Sequence, residues 1–190
     1  MNRNKDQDLS IGSVSPEVAA VRRQVSATQP DWSRERAGRY WEPDKRLIAS
    51  IRSYQRYAKK RGILAAVFKR FATLRHRFWS AVTGADIPAN TRIGGGLRLT
   101  HPNGVVVHPN CVIGVNCLIF QQVTLGCGGK KDGVPTIGGH VDVGAGAKIL
   151  GGIKIGDHVR IGANAVVLDD VPDGCTVVGI PGKIVRRFGA

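Results

Sequence analysis

The sequence predicts a mainly β chain: a parallel β-helix wound from six-residue repeats over residues 86–190, preceded by an α-helical segment. Three observations predict it. Aliphatic residues recur at every sixth position through the second half, glycine repeatedly follows them, and the first half instead carries apolar residues at three- and four-residue steps.

Residues 1–43 mix Ser, Gln, Arg, Pro and Asp with few large apolar side chains apart from Trp32, Tyr40 and Trp41, a composition that predicts a flexible leader. Its opening, MNRNKDQDLS, is polar with no apolar run behind it, and the longest unbroken apolar stretch, Ile63 to Phe68, is too short to span a bilayer. Cytoplasmic localisation is the expectation. Four cysteines with no C-x-x-C pair are then expected as reduced, structural thiols.

Residues 44–85 form the second unit. Leu47, Ile51, Tyr54 and Ala58, then Leu64, Val67, Phe71, Leu74, Phe78 and Val82, follow the helical period and predict two amphipathic helices broken near Arg61-Gly62. Their polar faces carry Arg52, Arg56, Lys59, Lys60, Lys69, Arg70, Arg75 and Arg77. Such a segment either packs its stripe on the rest of the protein or lies on an anionic membrane at the inner membrane face. The formal charge of +14 is concentrated in this first half: residues 1–85 contribute +11 and residues 86–190 only +3. Charge alone is a weak signal for nucleic acid, and none is expected as a partner.

From Asp86 the chain reads in sixes. Ile87, Ile93 and Leu99 form a first block; after a two-residue slip come Val107, Ile113, Ile119 and Leu125; then Ile137, Val143, Ile149, Ile155, Ile161 and Val167. Six residues suit neither a long helix nor a hairpin sheet. One unit cannot bury its aliphatic alone, but stacked coils bury a continuous column. Continuing in register from Leu125 would place Lys131 in that column, so residues 126–136 are expected as an extruded loop.

The segments DIPANTRIGGGLRLTHPNGVVV, IFQQVTLG with its glycine/lysine loop, VGAGAKILGGIKIG and GIPGKIV together resemble the β-helix domain of serine acetyltransferases and of the related acetyltransferases of bacterial polysaccharide operons. The resemblance covers about half the chain, residues 86–183. It implies a left-handed helix, a homotrimer, and acetyl-CoA bound between neighbouring subunits. It also implies a general base at His101 and an orienting carboxylate at Asp86, fifteen residues earlier as in those enzymes. Three positions depart from that pattern. Thr100 stands where the serine enzymes have an acid, and Gly133 and Val134 stand where they have an Arg-His pair, which favours a sugar hydroxyl over serine as acceptor.

Acetyl transfer from a thioester to a hydroxyl needs a base for the alcohol proton, and imidazole suits neutral pH. Asp86 would fix the ring tautomer and stabilise the imidazolium. A backbone N–H from Asn103-Gly104 would steady the oxyanion. His108 is the reserve base. Small residues at equivalent places in adjacent coils, Ala145 and Ala163, would admit the pantetheine arm, and Lys183, with Arg186 and Arg187, would meet CoA phosphates. His140 and His158 fall eighteen residues apart, stacked on one face if eighteen residues make a coil, but no third ligand accompanies them and no metal is expected. The competing readings are a non-catalytic trimeric scaffold and a metal-dependent β-helix enzyme.

Overall fold

The computed structural model describes residues 25–38 and 40–187. A 3₁₀ turn (Trp32–Glu35) leads into two helices, α1 (Pro43–Ala58) and α2 (Ile63–Thr83), and these into a left-handed parallel β-helix of about four coils. Its three faces are sheets of short stacked strands. The first holds β1 (Arg92–Ile93), β4 (Val112–Ile113), β7 (Thr136–Ile137) and β10 (Lys154–Ile155). The second holds β2 (Arg98–Leu99), β5 (Leu118–Ile119), β8 (Asp142–Val143), β11 (Arg160–Ile161), β13 (Cys175–Val178) and the antiparallel β14 (Lys183–Arg187). The third holds β3 (Val106–Val107), β6 (Thr124–Gly126), β9 (Lys148–Leu150) and β12 (Val166–Val167).

The repeat aliphatics form the expected column: all are buried except half-buried Ile93. A second inward column lies two positions before them, built from Leu97, Val105, Cys111, Cys117, Val123, Val141, Ala147, Ile153, Val159 and Ala165. Cys111, Cys117 and Cys175 are thus core residues; burial pushes the Cys111 thiol up to about 11 and Cys117 up to about 12, so neither is a nucleophile at neutral pH. Between the columns the chain turns a corner through the left-handed region, occupied by Asn116, Gln122, His140, His158 and Asn164 as well as glycine. His140 and His158 are therefore corner residues, and their Nδ1 atoms lie 2.8 Å apart on adjacent coils.

Two insertions break the period. β2 and β3 are separated by the six residues 100–105, where most corners have four. Between β6 and β7 the segment 127–135 loops out, with residues 127–133 exposed as the repeat arithmetic requires. Lys130 and Lys131 there reach Asp169 and Asp170 at 2.8 and 2.7 Å.

The helical segment divides into two unlike parts. α1 begins with proline at its first turn and buries Leu47, Ile48 and Ile51 in the same core as the solenoid. Gly62, at φ 108°, ends the break, and α2 fully buries only the small residues Ala65, Ala72 and Thr83, with half-buried His76 and Trp79 also facing inward. Its apolar stripe stays open: Ile63, Leu64, Val67, Phe68, Phe71, Leu74, Phe78 and Val82 are all exposed in the chain.

Residues 1–24 of the expected flexible leader lie outside the described residues. Residues 25–38, assigned to that leader, are instead strapped across the corner between the first and second sheets. Asn116 accepts from the Asp31 amide at 2.8 Å and donates to the carbonyls of Ser26 and Gln29. Glu35 accepts from the Gly96 and Leu97 amides and pairs with Arg52 at 2.7 Å, while Arg52 also donates to the Ile93 and Gly94 carbonyls. Gly95 and Gly139 leave the room that the strap fills, since a Cβ on either would strike Trp32 or the Ala27 backbone.

Candidate active site

His101 sits in the enlarged corner 100–105. That corner's regular left-handed position is taken by Gly104, which stacks on Gln122, yet His101 also has φ 53°. A second left-handed residue in one corner is a demand the repeat does not make, and it turns the exposed imidazole outward. Asp86 pairs by its backbone with β3: its amide donates to Val105 and its carbonyl accepts from Val107. The Gly104 amide donates to Gly84 at 2.8 Å, so the His101 corner rests on the residues leading into Asp86. No hydrogen bond joins the Asp86 carboxylate to the His101 ring within this chain. The titratable neighbour that Asp86 does have is His76, which sequence reasoning passed over. It lies on the inner face of α2 with Nδ1 3.3 Å from Ser50 Oγ. Burial holds its pKa below the usual range, against the opposing pull of a hydrogen bond to the Ile87 backbone and the Asp86 charge.

The Gly104 bond also corrects one expectation. With its N–H committed to Gly84, Gly104 cannot offer it to an oxyanion; of that pair only Asn103 is left as donor. His108 sits on the next corner, between the third and first sheets, where its Nδ1 accepts from the Asn110 amide at 3.2 Å.

Ala145 and Ala163 stack on the same edge as His101, between the second and third sheets, with the Asn164 amide bonded to the Ala145 carbonyl. Gly182 closes over this edge at the last coil by donating to Val166, which places Lys183 at its far end. One edge thus carries, from first coil to last, His101, Gln122, Ala145, Ala163 and Lys183. Arg34, Asp44, Lys45 and Arg98 gather beside His101 and Thr100 around a cleft of about 320 Å³. Arg98 directly precedes the repeat aliphatic Leu99, a place the strand alternation turns outward; Arg34 lies in the strap, where no periodicity marks it. Among the described residues no group of three or more His, Cys, Asp or Glu is placed to hold a metal ion.

A β-helix with this edge defines the class: a hexapeptide-repeat protein with a polar, histidine-bearing seam along one corner. Residues 135–169 match the bacterial transferase hexapeptide family of six repeats. A serine acetyltransferase of Synechococcus elongatus is 52% identical over 110 residues, covering 57% of this chain and 45% of that protein. The crystal structure of a Brucella abortus serine acetyltransferase in complex with coenzyme A is 36% identical, with a TM-score of 0.65, over 78% of this chain and 58% of that one. A serine O-acetyltransferase from Brucella melitensis superposes with a TM-score of 0.67 at 32% identity, over 92% of this chain and 69% of that one. The chain belongs to the serine acetyltransferase-like family of hexapeptide-repeat acetyltransferases. It spans about half the length of the curated relatives it matches.

Proposed function

We propose that the protein is an acetyl-CoA-dependent O-acetyltransferase that uses His101 as general base, on an acceptor hydroxyl of serine or, favoured by Gly133 and Val134, of a sugar in a polysaccharide precursor. The observation that carries this reading is the single edge on which the enlarged His101 corner, the small Ala145 and Ala163, and Lys183 follow one another. At a strand spacing of roughly 4.8 Å, the four coil steps from His101 to Lys183 span about 19 Å, room for a pantetheine arm laid along the edge with its phosphates at the lysine.

In the reaction the ring nitrogen of His101 takes the acceptor proton as the alcohol oxygen attacks the thioester carbonyl. The tetrahedral oxyanion collapses, the C–S bond breaks, and the imidazolium returns the proton to the departing thiolate. No covalent enzyme intermediate is needed. Asp86 is the candidate positioning residue for the ring: no bond joins the two side chains within this chain, but the Gly104–Gly84 bond and His76 hold the Asp86 segment beside the His101 corner.

A homotrimer belongs to the same reading. The His101 corner and the 127–135 loop flank opposite edges of the third sheet, which supports a site whose loop comes from a neighbouring copy. A cytoplasmic enzyme at the inner membrane face is supported by the open α2 stripe. No Asp or Glu occurs between Asp44 and Asp86, while eleven Lys or Arg do. An apolar face on a helix that carries Lys69, Arg70, Arg75 and Arg77 and no acid of its own suits an anionic bilayer surface, and no described helix is long and apolar enough to cross one.

The test is release of free thiol from acetyl-CoA with serine and with nucleotide- or lipid-linked sugars. His101→Ala should abolish release while the chain stays folded. Activity that survives it and is lost in His108→Ala would transfer the base to His108; no release with any acceptor would favour the non-catalytic scaffold. Flotation with anionic liposomes tests the membrane contact, which protein remaining at the bottom of the gradient would refute.

A further inference from the structure

The cleft beside His101 is walled from three directions. Arg34 comes from the 3₁₀ turn of the strap, Asp44 and Lys45 from the first turn of α1, and Arg98 and Thr100 from β2 and the corner that follows it. Its charges are not balanced internally. Lys45 is held by Glu42 at 2.6 Å. Arg98 and Arg34 have no ion-pair partner among the described residues, and the Nε of Arg34 is buried with nothing to donate to. Burial and then the neighbouring Arg98 charge hold the Arg34 guanidinium below its usual range, against the weaker opposing pull of Asp142 and Asp31. Asp44 is the one acid on the wall.

The Arg98 charge is felt at Arg34 more strongly than that of either nearby acid, so the two guanidinium groups repel each other across the cleft. They become favourable when an anion bridges them, because each presents a planar fork of donors that matches two oxygens of a phosphate or carboxylate. The fold has made this arrangement rigid: Arg34 follows directly on the Asn116 and Asp31 contacts of the strap, and Arg98 is fixed by the β2–β5 ladder. The helix dipole of α1, whose first turn forms part of the wall, adds positive potential of the same sign.

We propose that this cleft selects an acceptor carrying an anionic group, phosphate or carboxylate, which Arg34 and Arg98 clasp while the hydroxyl to be acetylated faces His101. The proposal rests on His101 as the base, and it sharpens the acceptor from any hydroxyl compound to one whose negative charge lies within a few bonds of the reacting oxygen. Thr100, uncharged beside the base, leaves that negative charge unopposed.

The experiment has two arms. In the first, inorganic phosphate and glycerate are titrated by calorimetry into the full-length protein and into Arg98→Gln and Arg34→Gln. Binding to the native protein that weakens at least tenfold in both variants is the expected result, and whichever ligand binds more tightly names the anion. In the second, thiol release is compared within matched pairs: N-acetylglucosamine 1-phosphate against N-acetylglucosamine, and serine against its methyl ester. The anionic member should be used at least tenfold more efficiently, and Arg98→Gln should narrow that ratio toward one, chiefly through KM. Anion binding that does not depend on the two arginines, or equal use of charged and neutral acceptors, overturns the proposal. Arginine-dependent anion binding without thiol release from any acceptor would leave the anion site standing and bring down the acetyltransferase reading instead.

Discussion

Glycine follows the repeat aliphatic at Gly114 and at Gly126 alike, and the sequence gives no reason to distinguish them. The structure does. A Cβ on Gly114 would lie 2.3 Å from the Gly138 carbonyl oxygen and 2.7 Å from the Gly139 nitrogen of the next coil, whereas one on Gly126 would meet nothing closer than a Thr124 methyl at 3.8 Å. Reaching even 3.0 Å from the Gly138 oxygen requires the coils to part by about 0.7 Å. The Gly114 amide donates to Ile137 at 2.9 Å and the His140 amide to Val115 at 2.7 Å. Lengthened by that much, the first passes beyond roughly 3.5 Å and the second is strained. Two weakened bonds at about 1 kcal/mol each, with overpacking against backbone, put Gly114→Ala at about 2–4 kcal/mol. Gly126→Ala should be neutral or slightly stabilising, by up to about 0.5 kcal/mol, through the unfolded chain. Urea denaturation of both variants measures the difference, and thermal midpoints should fall by roughly 5–15 °C in the first alone. Equal losses at the two positions would refute the argument that coil-to-coil approach, and not turn conformation, keeps glycine there.

Glu35→Ala should cost about 2–4 kcal/mol in the same assay, because it removes the largely buried carboxylate that pairs with Arg52 and leaves the Gly96 and Leu97 amides without their acceptor. A loss below about 0.5 kcal/mol would mean that the strap is not anchored there. His76 has its folded pKa depressed, so the unfolded chain takes up a proton first as pH falls; stability present at pH 7 should decline as pH drops through the mid-6 range toward the folded value. Denaturant midpoints of His76→Asn should lack that step, and an unchanged profile would assign it to other groups.

The solenoid was legible because its period is a packing requirement: every sixth side chain must enter the core, so the residue type there is constrained whatever else the coil does. The second inward column was less visible, because Leu97, Cys111, Ala147 and Val159 share burial but not a single chemical type. Helical spacing revealed that α2 is amphipathic, yet periodicity cannot say what an apolar face meets, and only the structure shows that Ala65 and Ala72 face inward while Phe71, at 66% exposed, does not. The same limit applies at the candidate site. His101 and the stacked alanines follow from register, but Arg34 reaches the cleft through a strap fixed by Asn116, eighty-five residues from Asp31 in sequence. Long-range contacts of that kind leave no local signature.

The two places where the period fails lie on opposite edges of one sheet, and that placement has a consequence for assembly. The corner insertion carries His101; the larger insertion carries Gly133 and Val134. If both line one reaction site, each site in a cyclic trimer takes its histidine from one copy and its loop from the next, a heterologous interface repeated three times. Two inactive chains, His101→Ala and a variant with residues 128–133 shortened to a tight turn, can then complement each other. In trimers assembled at random from equal amounts, a site is intact when its histidine comes from the shortened-loop chain and its loop from the His101→Ala chain, which happens for about a quarter of sites. Coexpressed chains should therefore recover about a quarter of native thiol release, where separately purified chains mixed without subunit exchange recover none. Recovery near zero after verified coassembly would place the histidine and the loop of each site within a single chain, and the trimer would lose its catalytic rationale.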